Sequence, residues 1–163
     1  MTDFEDLLEG NARYASQFTD GGFDGKAHAG VCVVTCMDSR IEPLAMLGLR
    51  LGDAKILRTP GGRVTPETLV GCILGVHLLN VDRIMVVPHT RCAMGSGDDA
   101  IAAKVIDATG TDIRGMILGS TPDQEAGLRY DVELLRTHPL MAGRATVGGF
   151  IYDVDHGTLT QKM

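Results

Sequence analysis

Residues 30–40 read GVCVVTCMDSR, and this stretch decides the fold. Its first half, Val31 to Thr35, is a nearly continuous run of β-branched and small apolar residues. Such a run is typical of a strand that is buried on both faces. The second half changes at once to a cysteine, an aspartate and an arginine. The stretch therefore predicts a buried strand with polar side chains at its carboxyl end.

The same alternation of apolar and polar segments continues along the chain. Strands are predicted at 54–57, 83–87, 113–118 and 147–154, and helices at 3–18, 66–79 and from the Thr121-Pro122 signal to about Arg136. Strands that alternate with helices of about 10–15 residues are typical of an α/β fold. We therefore predict a mainly parallel central β-sheet, with four parallel strands plus an edge strand, flanked by helices.

Two of these helices carry unusual apolar surface. The helix at 66–79 contains LVGCILGVHLL, which is apolar nearly all round and predicts a buried helix that Gly71 and Gly75 open to a close neighbour. The helix at 3–18, capped by Thr2, is amphipathic. Residues 1–25 therefore form a helical arm with a glycine-rich loop inside a single domain over 1–163. This arm can reach a partner subunit, so we expect a homodimer or a larger homo-oligomer such as a homotetramer.

Composition narrows the function classes. The chain has 163 residues, 44% of them hydrophobic, and a formal net charge of −6, which argues against a general nucleic-acid binder. Its longest apolar stretch is far shorter than the ~20 residues that span a membrane, and the acidic N-terminus is unlike a signal peptide. Four scattered cysteines do not suggest a disulfide scaffold. We expect a cytoplasmic protein that binds neither nucleic acid nor membrane.

Two polar constellations lie at strand ends. Cys36 and Asp38 are two positions apart, so in an extended chain their side chains lie on one side, about 6.6 Å apart. His89 and Cys92 follow the strand at 83–87 and can converge if the chain turns helical there. Each motif alone also fits an ordinary polar turn. Together they place one imidazole and two thiolates at one sheet edge, a set that suits zinc and leaves a fourth position for water or Asp38.

These motifs resemble those of the β-class carbonic anhydrases, C-x-D-[SA]-R followed about fifty residues later by H-x-x-C. Here Cys36-Met-Asp-Ser-Arg is followed 53 positions later by His89-Thr-Arg-Cys. The similarity to the compact prokaryotic members extends to LGLRLGDAKILRTPGG at 47–62 and GGFIYDVDHGTL at 148–159. The resemblance implies one Zn²⁺ per chain, and reversible hydration of carbon dioxide to bicarbonate and a proton by a zinc-bound hydroxide.

The resemblance also implies roles for individual residues. Cys36, His89 and Cys92 would bind the zinc ion, with Gly61 and Gly62 at the substrate. Asp38 and Arg40 would form a catalytic dyad that gates the metal, since the planar fork of an arginine binds a carboxylate bidentately. In the closed state Asp38 would leave Arg40 and become the fourth ligand.

Three positions depart from the usual family pattern. Pro60 lies in an R-T-P-G-G sequence where members commonly have R-N-A-G-G, Ala93 replaces a usual glycine, and Arg91 replaces a frequent aspartate. The metal ligands are intact. The pocket shape and substrate preference are open, because Pro60 removes a backbone donor and Ala93 disfavours positive φ.

Two other functions therefore remain open. One is a hydrolase that acts on carbonyl sulfide (COS) or carbon disulfide (CS2) at the same zinc site. The other is a non-enzymatic protein in which Asp38 closes a structural zinc site, a reading against which Arg40 counts. Among the remaining candidates, Cys32 and Cys72 are expected to be small core residues, and His77 a satisfied core imidazole.

Overall fold

A five-stranded sheet organises the protein, whose computed structural model describes residues 3–163. The strands are β1 (Val31–Cys36), β2 (Ala54–Thr59), β3 (Arg83–Val87), β4 (Thr146–Asp153) and β5 (Thr158–Gln161). Their order in the sheet is β2-β1-β3-β4-β5. The first four strands run parallel and β5 runs antiparallel to β4. The predicted α/β class, with four parallel strands and an edge strand, is confirmed.

Four helices accompany the sheet: α1 (Glu5–Ser16), α2 (Pro66–Leu78), α3 (Asp98–Thr109) and α4 (Gln124–Thr137). The Thr65 side chain caps α2 by accepting a hydrogen bond from the backbone N–H of Thr68, and Asp123 caps α4 in the same way. The cap predicted at Thr2 lies outside the described residues. None of the helices described within residues 3–163 combines the length and apolarity needed to cross a membrane.

The core lies on both faces of β1, all six residues of which are buried. Cys32 and Val34 pack into a cluster with residues of α2 and α4, including Cys72 and Leu128. The alternate residues of β1 face a second cluster, formed with the segment that leads to β2. The buried central strand that the sequence predicts is therefore confirmed, and both Cys32 and Cys72 are core residues.

The strand predicted at 113–118 is wrong. These residues form turns and irregular structure, and the side chain of Ile117 is 98% exposed. The run is apolar enough for a strand, but β4 takes the place beside β3 and leaves this segment without a sheet neighbour. The helix α3 was not predicted, because it buries only Ala102 and so has little amphipathic pattern. Nor was β5, whose four residues are mostly polar and exposed.

The predicted burial of α2 is wrong within one chain. Its buried residues are Thr68, Cys72 and Gly75, whereas an apolar stripe of Val70, Leu74 and Leu78 is 45–65% exposed. His77 is also exposed, and its Nε2 lies 2.8 Å from the carbonyl oxygen of Leu140, so it is not a core imidazole. The other face of α2 does approach the sheet closely, because a Cβ added to Gly71 would lie 3.0 Å from Leu57.

Candidate metal centre

Three side chains converge at the carboxyl ends of β1 and β3. Cys36 ends β1, while His89 and Cys92 lie in the loop that follows β3. Their ligand atoms all lie within 4.8 Å of one another, and the two Sγ atoms are 3.9 Å apart. The sequence motifs therefore meet as predicted, because β1 and β3 are neighbouring parallel strands that end at the same edge.

His89 is oriented so that it can act as a metal ligand. The Nδ1 atom is 2.9 Å from the backbone carbonyl of Thr90, to which it donates, and this leaves the lone pair on Nε2. That Nε2 atom is buried, and within residues 3–163 it has no hydrogen-bond partner. A buried polar atom without a partner costs about 1–3 kcal/mol. A metal ion bound by Nε2 and the two thiolates would remove this cost, so the residues present fit zinc.

The two thiols differ in acidity. Burial raises the pKa of Cys36, but the nearby imidazole of His89 and the backbone N–H groups of Asp38 and Gly61 outweigh burial and lower that pKa to about 7. Burial raises the pKa of Cys92, and the neighbouring Cys36 raises it further. Cys36 therefore ionises before Cys92, and a divalent cation bound between them would favour the thiolate form of both.

Asp38 and Arg40 form the ion pair that the dyad requires. Arg40 donates from Nε to Oδ1 at 2.9 Å and from Nη2 to Oδ2 at 2.7 Å, and its backbone N–H also donates to Oδ1. These contacts hold the pKa of Asp38 far below its usual range. The Oδ2 atom is also only 3.8 Å from Nε2 of His89. The carboxylate therefore lies beside the ligand cluster while it is bound to Arg40.

A cavity of about 150 Å³ opens beside these residues. Two short turns form its walls: the glycine turn (Pro60–Gly62) and the methionine turn, a 3₁₀ segment (Ala93–Ser96). Gly61 lines the cavity. Gly62 instead packs behind it, where an added Cβ would lie 3.1 Å from the backbone nitrogen of Cys36. Both glycines have positive φ, of 72° and 70°, which explains why the turn needs them.

The replacement of glycine by Ala93 does not force a strained backbone. The positive φ in this loop falls on Arg91, at 54°, and Ala93 begins the methionine turn. The Arg91 side chain does not crowd the ligands in this conformation, because its guanidinium pairs with Asp155. The loop thus delivers His89 and Cys92 with the residues that the sequence has.

The sequence analysis missed two residues that fix the ligand loops. Arg58 donates from Nε to the carbonyl of Cys36 at 3.0 Å and from Nη2 to the carbonyl of Asp38 at 2.6 Å. Gln124 donates from Nε2 to the carbonyl of His89 at 2.7 Å. The role of Arg58 could have been suspected from the sequence, since Arg58 lies in the R-T-P-G-G motif at the end of β2. No sequence pattern pointed to Gln124, because its contact with His89 depends on how α4 packs.

Comparisons with known proteins agree on one family. A family model described as carbonic anhydrase matches residues 31–118. Beta-carbonic anhydrase 1 of Mycobacterium tuberculosis is 30% identical over 99% of this chain and 98% of its own. A crystal structure of carbonic anhydrase from Streptococcus mutans is 31% identical, with a TM-score of 0.90 over 99% of this chain and 98% of that one. Carbon disulfide hydrolase of Acidithiobacillus thiooxidans is 26% identical over 95% of this chain and 86% of its own.

The ligand set predicts the metal content of purified protein. We expect about one zinc ion per chain, and we expect Cys36→Ser, His89→Ala and Cys92→Ala each to lose most of it, because three protein ligands are the minimum of such sites. Metal analysis by mass spectrometry measures this. Cys72→Ala is the matched control, since it removes a buried thiol elsewhere in the core. A normal zinc content in Cys92→Ala would contradict the assignment.

Proposed function

The chain belongs to the β-carbonic anhydrases, and from this premise we propose that it hydrates carbon dioxide reversibly to bicarbonate and a proton. The observation that carries the proposal is the buried Nε2 of His89, which has no hydrogen-bond partner among residues 3–163 and faces two thiols and a restrained carboxylate. We propose Zn²⁺ as the cofactor, with Cys36, His89 and Cys92 as its ligands. When bound, it would act as a Lewis acid and supply a water-derived nucleophile near neutral pH.

We assign Asp38 the task of orienting that nucleophile. As an ionised carboxylate it only accepts hydrogen bonds, so a water molecule beside it must donate a hydrogen bond to Oδ2 and direct a lone pair elsewhere. Arg40 keeps this acceptor in one orientation through its two parallel hydrogen bonds. Arg40 also holds Asp38 away from the position that a fourth ligand would take. The dyad thereby keeps the site open to substrate.

The cavity suits a small molecule without charge. Pro60, Ala93 and Met94 give it mostly apolar walls, which offer few hydrogen-bond partners. We propose Gly61 as a substrate contact, because it lines the cavity without a side chain. A linear triatomic molecule fits a space of about 150 Å³. Gly62 supports this wall from behind.

A second candidate substrate class is COS or CS2. The similarity to carbon disulfide hydrolases favours it, as does the soft, apolar wall that Met94 and Pro60 provide. The remaining alternative, a closed structural zinc site, has less support. In such a site Asp38 would need to face the metal permanently, and Arg40 would compete for it with a bidentate contact.

Thiolate ligands also bear on location. Their reduced state is maintained in a reducing compartment, and we propose the cytoplasm on this ground.

An assay with two substrates separates these functions. We expect proton release from CO2 with a higher kcat/KM than sulfide release from COS, because the restrained cavity favours the smaller molecule. Stopped-flow measurement with a pH indicator follows the first, and a sulfide assay follows the second. Efficient COS turnover with little CO2 hydration would favour the hydrolase, and inactivity with both substrates in zinc-loaded protein would favour the structural site.

Removal of Arg40 tests the dyad. We expect Arg40→Ala to keep its zinc and to lose kcat/KM by about a hundredfold or more, because Asp38 loses its orientation and can take the fourth ligand position. The readouts are metal content and CO2 hydration in the same preparation. Arg91→Ala is the matched control, since it removes a nearby arginine that pairs with Asp155 instead. Near wild-type activity in Arg40→Ala would overturn the gating role.

We also propose that the chain forms a homodimer or a larger homo-oligomer. Leu7 and Leu8 of α1 are about two-thirds exposed, and α1 buries none of its residues. The apolar stripe on α2 is exposed as well. Two such surfaces on one molecule would cost free energy in water, and a second copy can cover both.

Sedimentation tests this proposal. We expect a species of at least about twice the 17.4 kDa chain mass at micromolar concentration. Leu7→Asp combined with Leu8→Asp should shift it toward the monomer, because burial of a carboxylate in an apolar contact is costly. Glu9→Gln, on the same helix, serves as the control and should leave the mass unchanged. A wild-type monomer would contradict the proposal.

A further inference from the structure

An ion pair between a half-buried arginine and a buried carboxylate joins the glycine turn to α4. Arg63, the residue directly after the turn, donates from Nε to Oδ2 of Asp131 at 2.6 Å and from Nη2 to Oδ1 at 3.0 Å. Asp131 is 1% exposed, and it also accepts a hydrogen bond from the backbone N–H of Val64 at 3.2 Å. Three donors therefore fix one buried carboxylate, and this fixes the end of the turn relative to α4.

The same guanidinium reaches the opposite wall of the cavity. Its Nη1 donates to the hydroxyl of Thr121 at 2.6 Å, and the backbone N–H of Thr121 donates to the carbonyl of Met94 at 2.9 Å. Met94 belongs to the methionine turn and lies close to the glycine turn, since a Cβ added to Gly61 would be 3.2 Å from its Cβ. Arg63 thus connects both walls through one rigid group.

Only an arginine can make this connection as it stands. The planar fork binds two carboxylate oxygens and one hydroxyl in fixed directions, whereas a lysine ammonium is a compact charge on a flexible stem. If the pair served stability alone, apolar residues of similar volume could replace it at little cost. A geometric task explains the fork better.

We propose that Arg63 is a positioning residue that sets the width of the cavity between the glycine turn and the methionine turn, and thereby discriminates carbon dioxide from its larger sulfur analogues. This inference rests on the proposed function, because it assumes that the cavity holds the substrate. Arg63 acts through the two turns and is not itself a catalytic residue. Asp131 and Thr121 are its anchors.

Kinetics with two substrates test the proposal. In Arg63→Lys we expect KM for CO2 to rise several-fold and the ratio of kcat/KM for COS over CO2 to rise about fivefold or more, because a wider cavity penalises the larger molecule less. Arg114→Lys is the matched control. Arg114 makes the same fork with Asp112, at 3.0 and 2.6 Å, on an exposed surface. The control should leave both KM and the ratio unchanged.

Thr121→Val separates positioning from folding. It removes the hydroxyl that accepts from Nη1 but keeps the side-chain shape and the Arg63–Asp131 pair, so it tests the link even if Arg63→Lys fails to fold. We expect the same direction of change in the substrate ratio. An unchanged ratio in every folded variant, with only a lower melting temperature, would overturn the proposal, since that is the result of a purely structural pair.

A readout that needs no turnover completes the test. In protein labelled at the methionine methyl groups, the Met94 resonance, assigned with Met94→Leu, should shift or broaden in Arg63→Lys and Thr121→Val but not in Arg114→Lys. A Met94 resonance that is the same in all of them would also overturn the proposal. If wild-type protein turns over neither substrate, the proposed function fails, while this resonance still decides whether Arg63 positions the methionine turn.

Discussion

The pairing of β1 with β3 is the constraint on which the site depends. Thr35 pairs with Val87, so Cys36 ends level with the residue before His89. Side chains alternate between the faces of a sheet, and a slip of one residue would turn Cys36 to the opposite face. Burial of β1 on both sides prevents such a slip, because each of its faces fills a core cluster. The separation of 3.9 Å between the two thiols is therefore a consequence of core packing.

Charge balance explains the arginines around this edge of the sheet. Two thiolates and the Asp38 carboxylate would repel one another if nothing offset them. Arg40 pairs with Asp38, and this leaves a divalent cation to balance the thiolates alone. Arg58 binds only backbone carbonyls, so it holds the ligand loop in shape and adds positive potential without taking a ligand. The pocket can then accept a neutral substrate and release an anionic product.

What the sequence could predict was local. Cys36 and Asp38 are two positions apart, His89 and Cys92 three apart, and β-branched runs mark β1 and β3, so strand ends and ligands follow from short patterns. The contacts that hold the cavity walls in place are not local, since Arg63 and Asp131 are 68 positions apart and no sequence pattern links them. The strand predicted at 113–118 was wrong for a related reason, because a strand-like composition does not supply a neighbouring strand. The apolar character of α2 was evident, but which of its faces the sheet would cover was not.

Substrate preference must then lie in the walls of the cavity. The three proposed ligands would define the reactive centre, but they would not limit the length of a linear substrate. We propose that this limit comes from the distance between the glycine turn and the methionine turn, where Pro60 fixes one φ and Gly61 has a positive φ. A cavity whose walls are held by the backbone in this way cannot widen through the rotation of a side chain. It can widen only if its anchors, Asp131 on α4 and Thr121, release it, and α4 also holds the carbonyl of His89 through Gln124. The cavity wall and the loop that carries His89 therefore share one helix as their support.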